Sequence, residues 1–386
     1  MLHAASRYHV AKSSSFPISL LPQQRVSITR TARGLSTVPQ VVGPIGAAVF
    51  RERAFAVGKP LVIRSESRPD AAVPEENSNN ETSSTALPAL AKWFAASKQG
   101  GGADLSPYLK EHSGLILPYE LVVSSQTPIP RFLSWLSSSA TPLHKHLASL
   151  LGHHITLNHS ETPPIINPDA NTPCEAHFLR FEAPLALLSA ALEFHHHHHH
   201  QPLTQLYIAQ APLSHLPASL QADLPTPPLV LHAGRGDVYS SSIWLGLEPT
   251  YTPWHRDPNP NFFCQLRGRK AIRLLPPRRG EALFREAVHR ARLAGAGASP
   301  RIRGDEMMRG RERRVLWEAV WGRSEGGDGD GHADGDAPSP PSPPGEMVEA
   351  VVAAGDALFI PLGWWHSVRS LGEQAGLNGS VNWWFR

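Results

Sequence analysis

Three runs of residues decide the fold: Tyr251-Thr252-Pro253-Trp254-His255-Arg256-Asp257, Asn261-Phe262-Phe263-Cys264-Gln265-Leu266 and Lys270-Ala271-Ile272-Arg273-Leu274-Leu275. Each is short, apolar or aromatic in character, and bounded by Gly, Pro or Asn, which predicts a succession of short strands. Arg267-Gly268-Arg269 predicts a turn that returns Lys270–Leu275 antiparallel to Asn261–Leu266, and Pro276-Pro277 ends that strand. Strands arriving this quickly suit a barrel or jelly roll.

In an extended strand, alternate side chains share a face, so His255 and Asp257 point the same way. Their Cα atoms are then roughly 6.5–7 Å apart, close enough for both to reach one ion at about 2.0–2.2 Å. The answering stretch is Gly355-Asp356-Ala357-Leu358-Phe359-Ile360-Pro361-Leu362-Gly363-Trp364-Trp365-His366, which adds a second imidazole from a distant strand. Two His and one carboxylate on one face leave open positions, the arrangement of non-haem Fe(II) sites that activate O₂.

Working outward, Met347–Ala353 and Gly379–Phe385 read as further strands, as do Leu203–Ala211, Leu229–His232 and Asp237–Leu247. Gly234-Arg235-Gly236 lacks the third glycine and following helix of a dinucleotide fingerprint. Residues 276–345 interrupt the pattern. Leu283, Phe284, Ala287, Val288 and Ala291 have helical spacing, and 311–321 reads as a second helix. Residues 276–323 carry a local charge of +6, read as a solvated helical cover. The Gly-, Asp- and Pro-rich stretch 324–345 predicts disorder.

Residues 39–200 read as an N-terminal α/β region. Val41–Phe55 is helix-forming, Lys59–Arg64 a strand, and Leu87–Ala96 and Ile129–Leu151 partly helical. Residues 65–87 and 156–175 read as loops, and Phe178–Leu192 is apolar without a deciding period. His195–His200 form a tract that binds metal only weakly, because nothing fixes the rings.

The chain has 386 residues and a net charge of +3, too small to imply nucleic acid by itself. With only Cys174 and Cys264 there is no disulfide framework or cysteine zinc site. No apolar run approaches about 20 residues, so no stable membrane insertion is expected. Before Glu52 there is no acid, whereas Arg7, Lys12, Arg25, Arg30, Arg33 and Arg51 are all basic. Residues 1–38 therefore fit a mitochondrial transit peptide, with cytoplasmic or nuclear residence as the alternative.

Taken together, His255-x-Asp257, the Asn261–Lys270 segment, Gly-Asp-Ala-Leu-Phe-Ile-Pro before Trp-Trp-His366, and Ser-Val-Asn382-Trp-Trp-Phe resemble the JmjC-domain (cupin-like) 2-oxoglutarate oxygenases. The likeness covers roughly 201–386 and is nearest to the asparaginyl-hydroxylase-like branch. It implies a mostly β chain with added helices, built on a double-stranded β-helix. It also implies Fe(II) held by His255, Asp257 and His366, with 2-oxoglutarate as cosubstrate.

Residue by residue, the resemblance makes Lys270 the partner of the far carboxylate of 2-oxoglutarate. Thr252 and Tyr207 supply hydroxyls to it, and Asn261 and Asn382 flank metal and cosubstrate. Iron, Asp257 and 2-oxoglutarate together leave one negative charge, which Lys270 cancels. The implied activity is hydroxylation of a protein side chain, with demethylation less expected. An RNA-nucleoside hydroxylase and a non-catalytic metal-binding interaction module are the alternatives. A metal-dependent sugar isomerase on the same barrel would not need Lys270. Substrate identity and oligomeric state stay open, and a monomer is compatible with everything read here.

Overall fold

The computed structural model describes residues 35–66, 87–96, 103–124, 127–161, 165–166, 175–198, 203, 205–293, 310–322, 345–372 and 375–386. The expected leader up to position 34, the loop residues 67–86, His199, His200 and the stretch 324–344 lie outside these.

Strands β1 (Ser36–Thr37), β2 (Gln40–Val42), β3 (Leu61–Arg64), β4 (Phe94–Ala96), β5 (Ala103–Leu105) and β6 (Ile116–Ser124) come first. β7 (Ile165–Ile166), β8 (Glu175–Pro184), β9 (Leu206–Pro212) and β10 (Val238–Leu247) follow. The remainder of the chain supplies β11 (Tyr251–Arg256), β12 (Asn261–Arg267), β13 (Arg269–Leu275), β14 (Val348–Ala353), β15 (Ala357–Ile360), β16 (Trp365–Ser370) and β17 (Leu377–Phe385).

Two sheets carry the fold. The smaller runs β1-β14-β13-β16-β11, and the larger runs β2-β3-β15-β12-β17-β10-β9-β6-β8-β7. From β11 to β17 the chain passes back and forth between them, which is the jelly-roll winding. Between the sheets lie Val62, Phe263, Leu358 and Ile360 from one side and Ile272, Leu274, Ala350 and Val352 from the other.

Strict alternation explains β13. Lys270, Ile272 and Leu274 face inward, while Ala271 and Leu275 belong to an apolar cluster on the outer face. With both faces covered, the strand reads as apolar almost throughout, and all nine residues of β17 are buried.

The expected hairpin at Arg267-Gly268-Arg269 is not one. β12 pairs with β15 and β17, whereas β13 pairs with β14 and β16. The turn carries the chain from one sheet to the other. Gly268 has φ +71, and a Cβ there would lie 2.6 Å from the Asn378 amide. Local residues report only the bend; the partners are set by strands far away in the sequence.

Other expectations also change. Leu229–His232 is not a strand but part of the helix Pro228–Ala233. A four-residue apolar run has no readable period, and Pro at the first helical position favours a helix. Of the loop expected over 156–175, residues up to Glu161 belong to the helix Pro142–Glu161 and Ile165–Ile166 to β7, while 162–164 and 167–174 lie outside the described residues. Thr156 fits inside that helix by donating its hydroxyl to the Gly152 carbonyl at 2.9 Å. Phe178–Leu192 divides into strand β8 and the helix Ala186–His197, so the first three tract histidines close a helix.

Apart from the β4–β5 pair, the N-terminal strands extend the two barrel sheets. The outer face of the large sheet packs on the N-terminal helices through Tyr119, Phe132, Leu187 and Phe194. The outer face of the small sheet is covered by the helices Pro277–Leu293 and Gly310–Trp321 from the insertion.

Candidate metal centre

β11 and β16 run antiparallel with His255 directly opposite His366, and the register shifts between Thr252 and His255. Beyond that irregularity, ordinary alternation puts His255 and the fully buried Trp254 on opposite sides of the strand. β11 stops at Arg256, and Asp257 stands one residue beyond its end. The ligand atoms of His255, Asp257 and His366 all lie within 4.8 Å of one another. His255 Nε2 is 3.8 Å and His366 Nε2 is 3.6 Å from the two Asp257 oxygens, and the imidazole centroids are 4.2 Å apart.

The tautomers follow from the backbone. A carbonyl only accepts, so His255 Nδ1 donates to the Pro253 carbonyl at 2.8 Å, and His366 Nδ1 donates to the Trp364 carbonyl at 3.2 Å. Both Nε2 atoms therefore face the Asp257 carboxylate, which leaves them as the ring nitrogens placed to meet a cation. Burial, and then the neighbouring His255, push the His366 imidazolium well below its usual range, with Asp257 opposing. The ring is neutral and free to ligate at neutral pH. Asn261 Nδ2 donates to Asp257 Oδ2 at 2.8 Å, and Asn382 Nδ2 donates to Asn261 Oδ1 at 2.8 Å. The remaining oxygen of Asn382 is buried with no partner. The donor set fits a divalent transition metal with vacant positions.

Lys270 lies deeper. In the register of β13 against β16, Leu274 pairs with His366 and Lys270 with Ser370. Four residues of strand separate these positions by about 13 Å, so the cation stands back from the imidazoles along the barrel. Lys270 is 2 % exposed, donates to Ser380 Oγ at 2.8 Å and Tyr207 Oη at 3.2 Å, and packs beside the Tyr207 and Phe263 rings. Burial pushes its ammonium down to about 7, against the pull of Glu248. An added anion at this place would restore the charge. Burial raises the Tyr207 phenol and also the Glu248 carboxyl.

Of the residues singled out from sequence, His255, Asp257, His366, Asn261 and Asn382 form one connected group at the metal end. Lys270 and Tyr207 form a second at the deep end. Thr252 sits opposite Val368 on β11, and its carbonyl accepts from Ser367 Oγ at 2.8 Å. Tyr207 shares its phenol with the Thr250 hydroxyl instead. Ser380 and Glu248 escaped the sequence reading. Ser380 had a signal, standing two residues before Asn382 on the same face of one strand. Glu248 had none, since its proximity to Lys270 depends on the whole barrel.

The insertion buttresses this centre from behind. Trp321 Nε1 donates to Ser367 Oγ at 3.0 Å, and Trp254 Nε1 donates to the Gly280 carbonyl at 3.2 Å. Arg273, 2 % exposed, bridges to Glu349 at 2.8 Å and stacks on Trp321 with 4.6 Å to the ring centre.

A family model described as a cupin-like domain matches residues 143–386. This reaches further than the resemblance over 201–386 and takes in the helix Pro142–Glu161. Lysine-specific demethylase JMJ30 of Arabidopsis thaliana is 26 % identical over 201 residues, 52 % of this chain and 38 % of that protein. Lysine-specific demethylase 8 of Danio rerio is 28 % identical over 181 residues, 46 % of this chain and 36 % of that protein. JmjC domain-containing protein D of Dictyostelium discoideum is 42 % identical over 50 residues, 13 % of this chain and 11 % of that protein. The chain thus spans well under half the length of these relatives.

Proposed function

The chain belongs to the cupin-like domain family, and from that premise we propose that it is an Fe(II)- and 2-oxoglutarate-dependent oxygenase that hydroxylates a protein side chain. The observation carrying this reading is the convergence of two imidazole Nε2 atoms and one carboxylate, with a buried lysine further down the barrel. Bound iron with 2-oxoglutarate supplies the oxidising chemistry: O₂ is split, one oxygen enters succinate as CO₂ leaves, and the other enters a C–H bond.

The protein's own work is geometric and electrostatic. Pro253 and Trp364 carbonyls fix the imidazole tautomers. Asn261 and Asn382 hold the Asp257 carboxylate in place. Lys270, Ser380 and Tyr207 receive the far carboxylate of the cosubstrate and set its depth. The apolar layer around Phe263, Ile272 and Leu274 keeps water from that end.

Two relatives are named as lysine-specific demethylases, which supports a polypeptide substrate and a second reading. In that reading the oxidised C–H belongs to an N-methyl group, and the hydroxylated methyl leaves as formaldehyde.

The test is succinate formation from 2-oxoglutarate with Fe(II) in air, comparing the full chain with Asp257→Ala. His195–His200 are replaced by alanine in both, because a histidine tract binds iron by itself. The expected result is turnover in the parent and background in the variant. Absence of both turnover and 2-oxoglutarate binding in the parent would leave a metal-binding module. With substrate in hand, gain of one oxygen marks hydroxylation and release of formaldehyde marks demethylation.

A further inference from the structure

We propose that Glu248 is a positioning residue for 2-oxoglutarate, a fixed counter-charge that sustains the Lys270 ammonium without occupying its hydrogen-bond donors. This rests on the oxygenase reading and adds a residue to its machinery.

Glu248 stands one residue beyond β10, but the strand pairing runs on through it. Its amide donates to the Gly376 carbonyl, and its carbonyl accepts from the Ala375 amide, each at 2.9 Å. Along β10, Ser242, Trp244 and Gly246 share one face, opposite Asn382, Ser380 and Asn378 of β17. Ser380 holds Lys270 and Asn382 holds Asn261, so this is the inner face of the barrel. Glu248 is the next residue on that face, at the end away from the metal.

The carboxylate is closely held. Glu248 is 2 % exposed, and it accepts from the Gly372 amide, from Asn378 Nδ2 at 2.8 Å and from the Ser370 hydroxyl. Asn378 is fixed in turn. Its Oδ1 accepts from Gln265 Nε2 at 3.0 Å, and its Nδ2 also donates to the Arg269 carbonyl at 3.1 Å. A Cβ on Gly372 would overlap the carboxylate, and one on Gly268 would lie 3.2 Å from Glu248 Oε1. All three partners of the carboxylate donate to it, which favours the ionised form in a buried place.

Lys270 gives its hydrogen bonds to Ser380 and Tyr207, both neutral hydroxyls, since burial drives the Tyr207 phenol far up. Glu120, opposite Tyr207 on β6, bridges to Arg180 at 3.7 Å, and Asp257 stands at the metal end. Glu248 is the carboxylate that acts on Lys270, and its pull opposes the loss of charge that burial imposes. Asn378 and Ser380 are two residues apart on one strand, so the side chains that hold Glu248 and Lys270 stand roughly 6.5–7 Å apart. A direct ion pair would have to break before the lysine could take a carboxylate. At this spacing the charge is felt, while of the three ammonium N–H groups only two are engaged, by Ser380 and Tyr207.

The test is 2-oxoglutarate affinity against pH, by calorimetry on the full chain loaded with Mn(II) so that no turnover occurs, comparing the parent with Glu248→Gln. Glutamine keeps the shape and removes the charge. The parent should lose affinity above about pH 7, where its lysine discharges, and the variant should begin the same loss about one unit lower. The variant should match the parent within about twofold at pH 6 and bind about tenfold more weakly at pH 8. A merely structural role would weaken binding equally at every pH, so parallel profiles would overturn the proposal. A second readout needs no cosubstrate. In urea unfolding at pH 7, Glu248→Gln and Lys270→Met should each destabilise the chain, and the double variant should lose less than the two losses added. Additive losses would overturn the proposal, as would a Glu248→Gln chain that fails to fold and is not rescued by Lys270→Met. Losses that do not add, in a parent that binds no 2-oxoglutarate, would uphold the counter-charge and overturn the oxygenase reading alone.

Discussion

The two faces of the small sheet differ more than any two regions of the chain far apart in sequence. Trp254 and His255 are neighbours, as are Trp365 and His366. The tryptophans sit at 0 % and 1 % exposure in a packed outer cluster with Phe284, Leu316 and Trp321. The histidines point inward, their Nε2 atoms facing a carboxylate. Strand periodicity alone separates a face that makes the sheet rigid from a face that leaves donors and acceptors for a ligand. The comparison teaches that stability and chemistry here are encoded in alternate residues of the same strands, and should be separable by substitution.

The sharpest break is His366→Ala. We expect turnover and iron binding, followed by optical titration of the iron and 2-oxoglutarate complex, to fall to background. Folding stability should fall by about 1–3 kcal/mol, the cost of leaving the Trp364 carbonyl without its partner in a buried site. A larger drop in stability would mean that the inner face also carries the fold.

Trp365→Ala is the mirror experiment. Loss of a fully buried indole should cost about 3–5 kcal/mol in urea unfolding, while the folded fraction still binds iron. Gly280→Ala is subtler. Alanine favours a helix by roughly 1 kcal/mol, yet its Cβ would lie 2.3 Å from the Trp365 ring. A net destabilisation of about 1–2 kcal/mol is expected, and a stabilised variant would show that the outer contact yields easily.

The smallest effect concerns pH. Lys270 faces Tyr207, Ser380 and Glu248, and its folded value of about 7 lies below the 10.5 of a free lysine. The unfolded chain therefore holds the extra proton between these values, so this group's contribution makes stability rise with pH from about 7 toward 10.5. Cosubstrate binding has the opposite trend. Only the charged lysine attracts a carboxylate, so 2-oxoglutarate affinity should weaken by up to about tenfold per unit above pH 7. Lys270→Arg, which stays charged, should flatten that slope in a binding titration.

What was legible in the sequence is what depends on short spacing. His255 and Asp257 are fixed to one face by their separation, and His366 belongs with them through the motifs around it. Lys270 was singled out only through the family resemblance, since Arg269 and Arg273 in the same run are equally basic. The pairing of that run was not legible, because Arg267-Gly268-Arg269 bends the chain in the same way for a hairpin and for a crossing between sheets. Leu229–His232 misled because four residues are too few to show a period, although Pro227-Pro228 ahead of it favoured a helix. The extension of the barrel sheets into residues 36–184 rests on pairings such as β15 with β3 and β6 with β9. Such long-range contacts leave no local trace.

β1 carries one more consequence. It lies parallel to β14 at Ser36–Thr37, Val38 N–H donates to the Glu349 carbonyl at 3.0 Å, and Leu35 and Val38 are buried. Those few residues occupy what would otherwise be the open border of the small sheet. Without them, the β14 backbone would offer unsatisfied donors and acceptors to any neighbouring molecule, an invitation to sheet-to-sheet association. A cut behind Val38 would open that border, whereas a cut ahead of Leu35 would leave it covered.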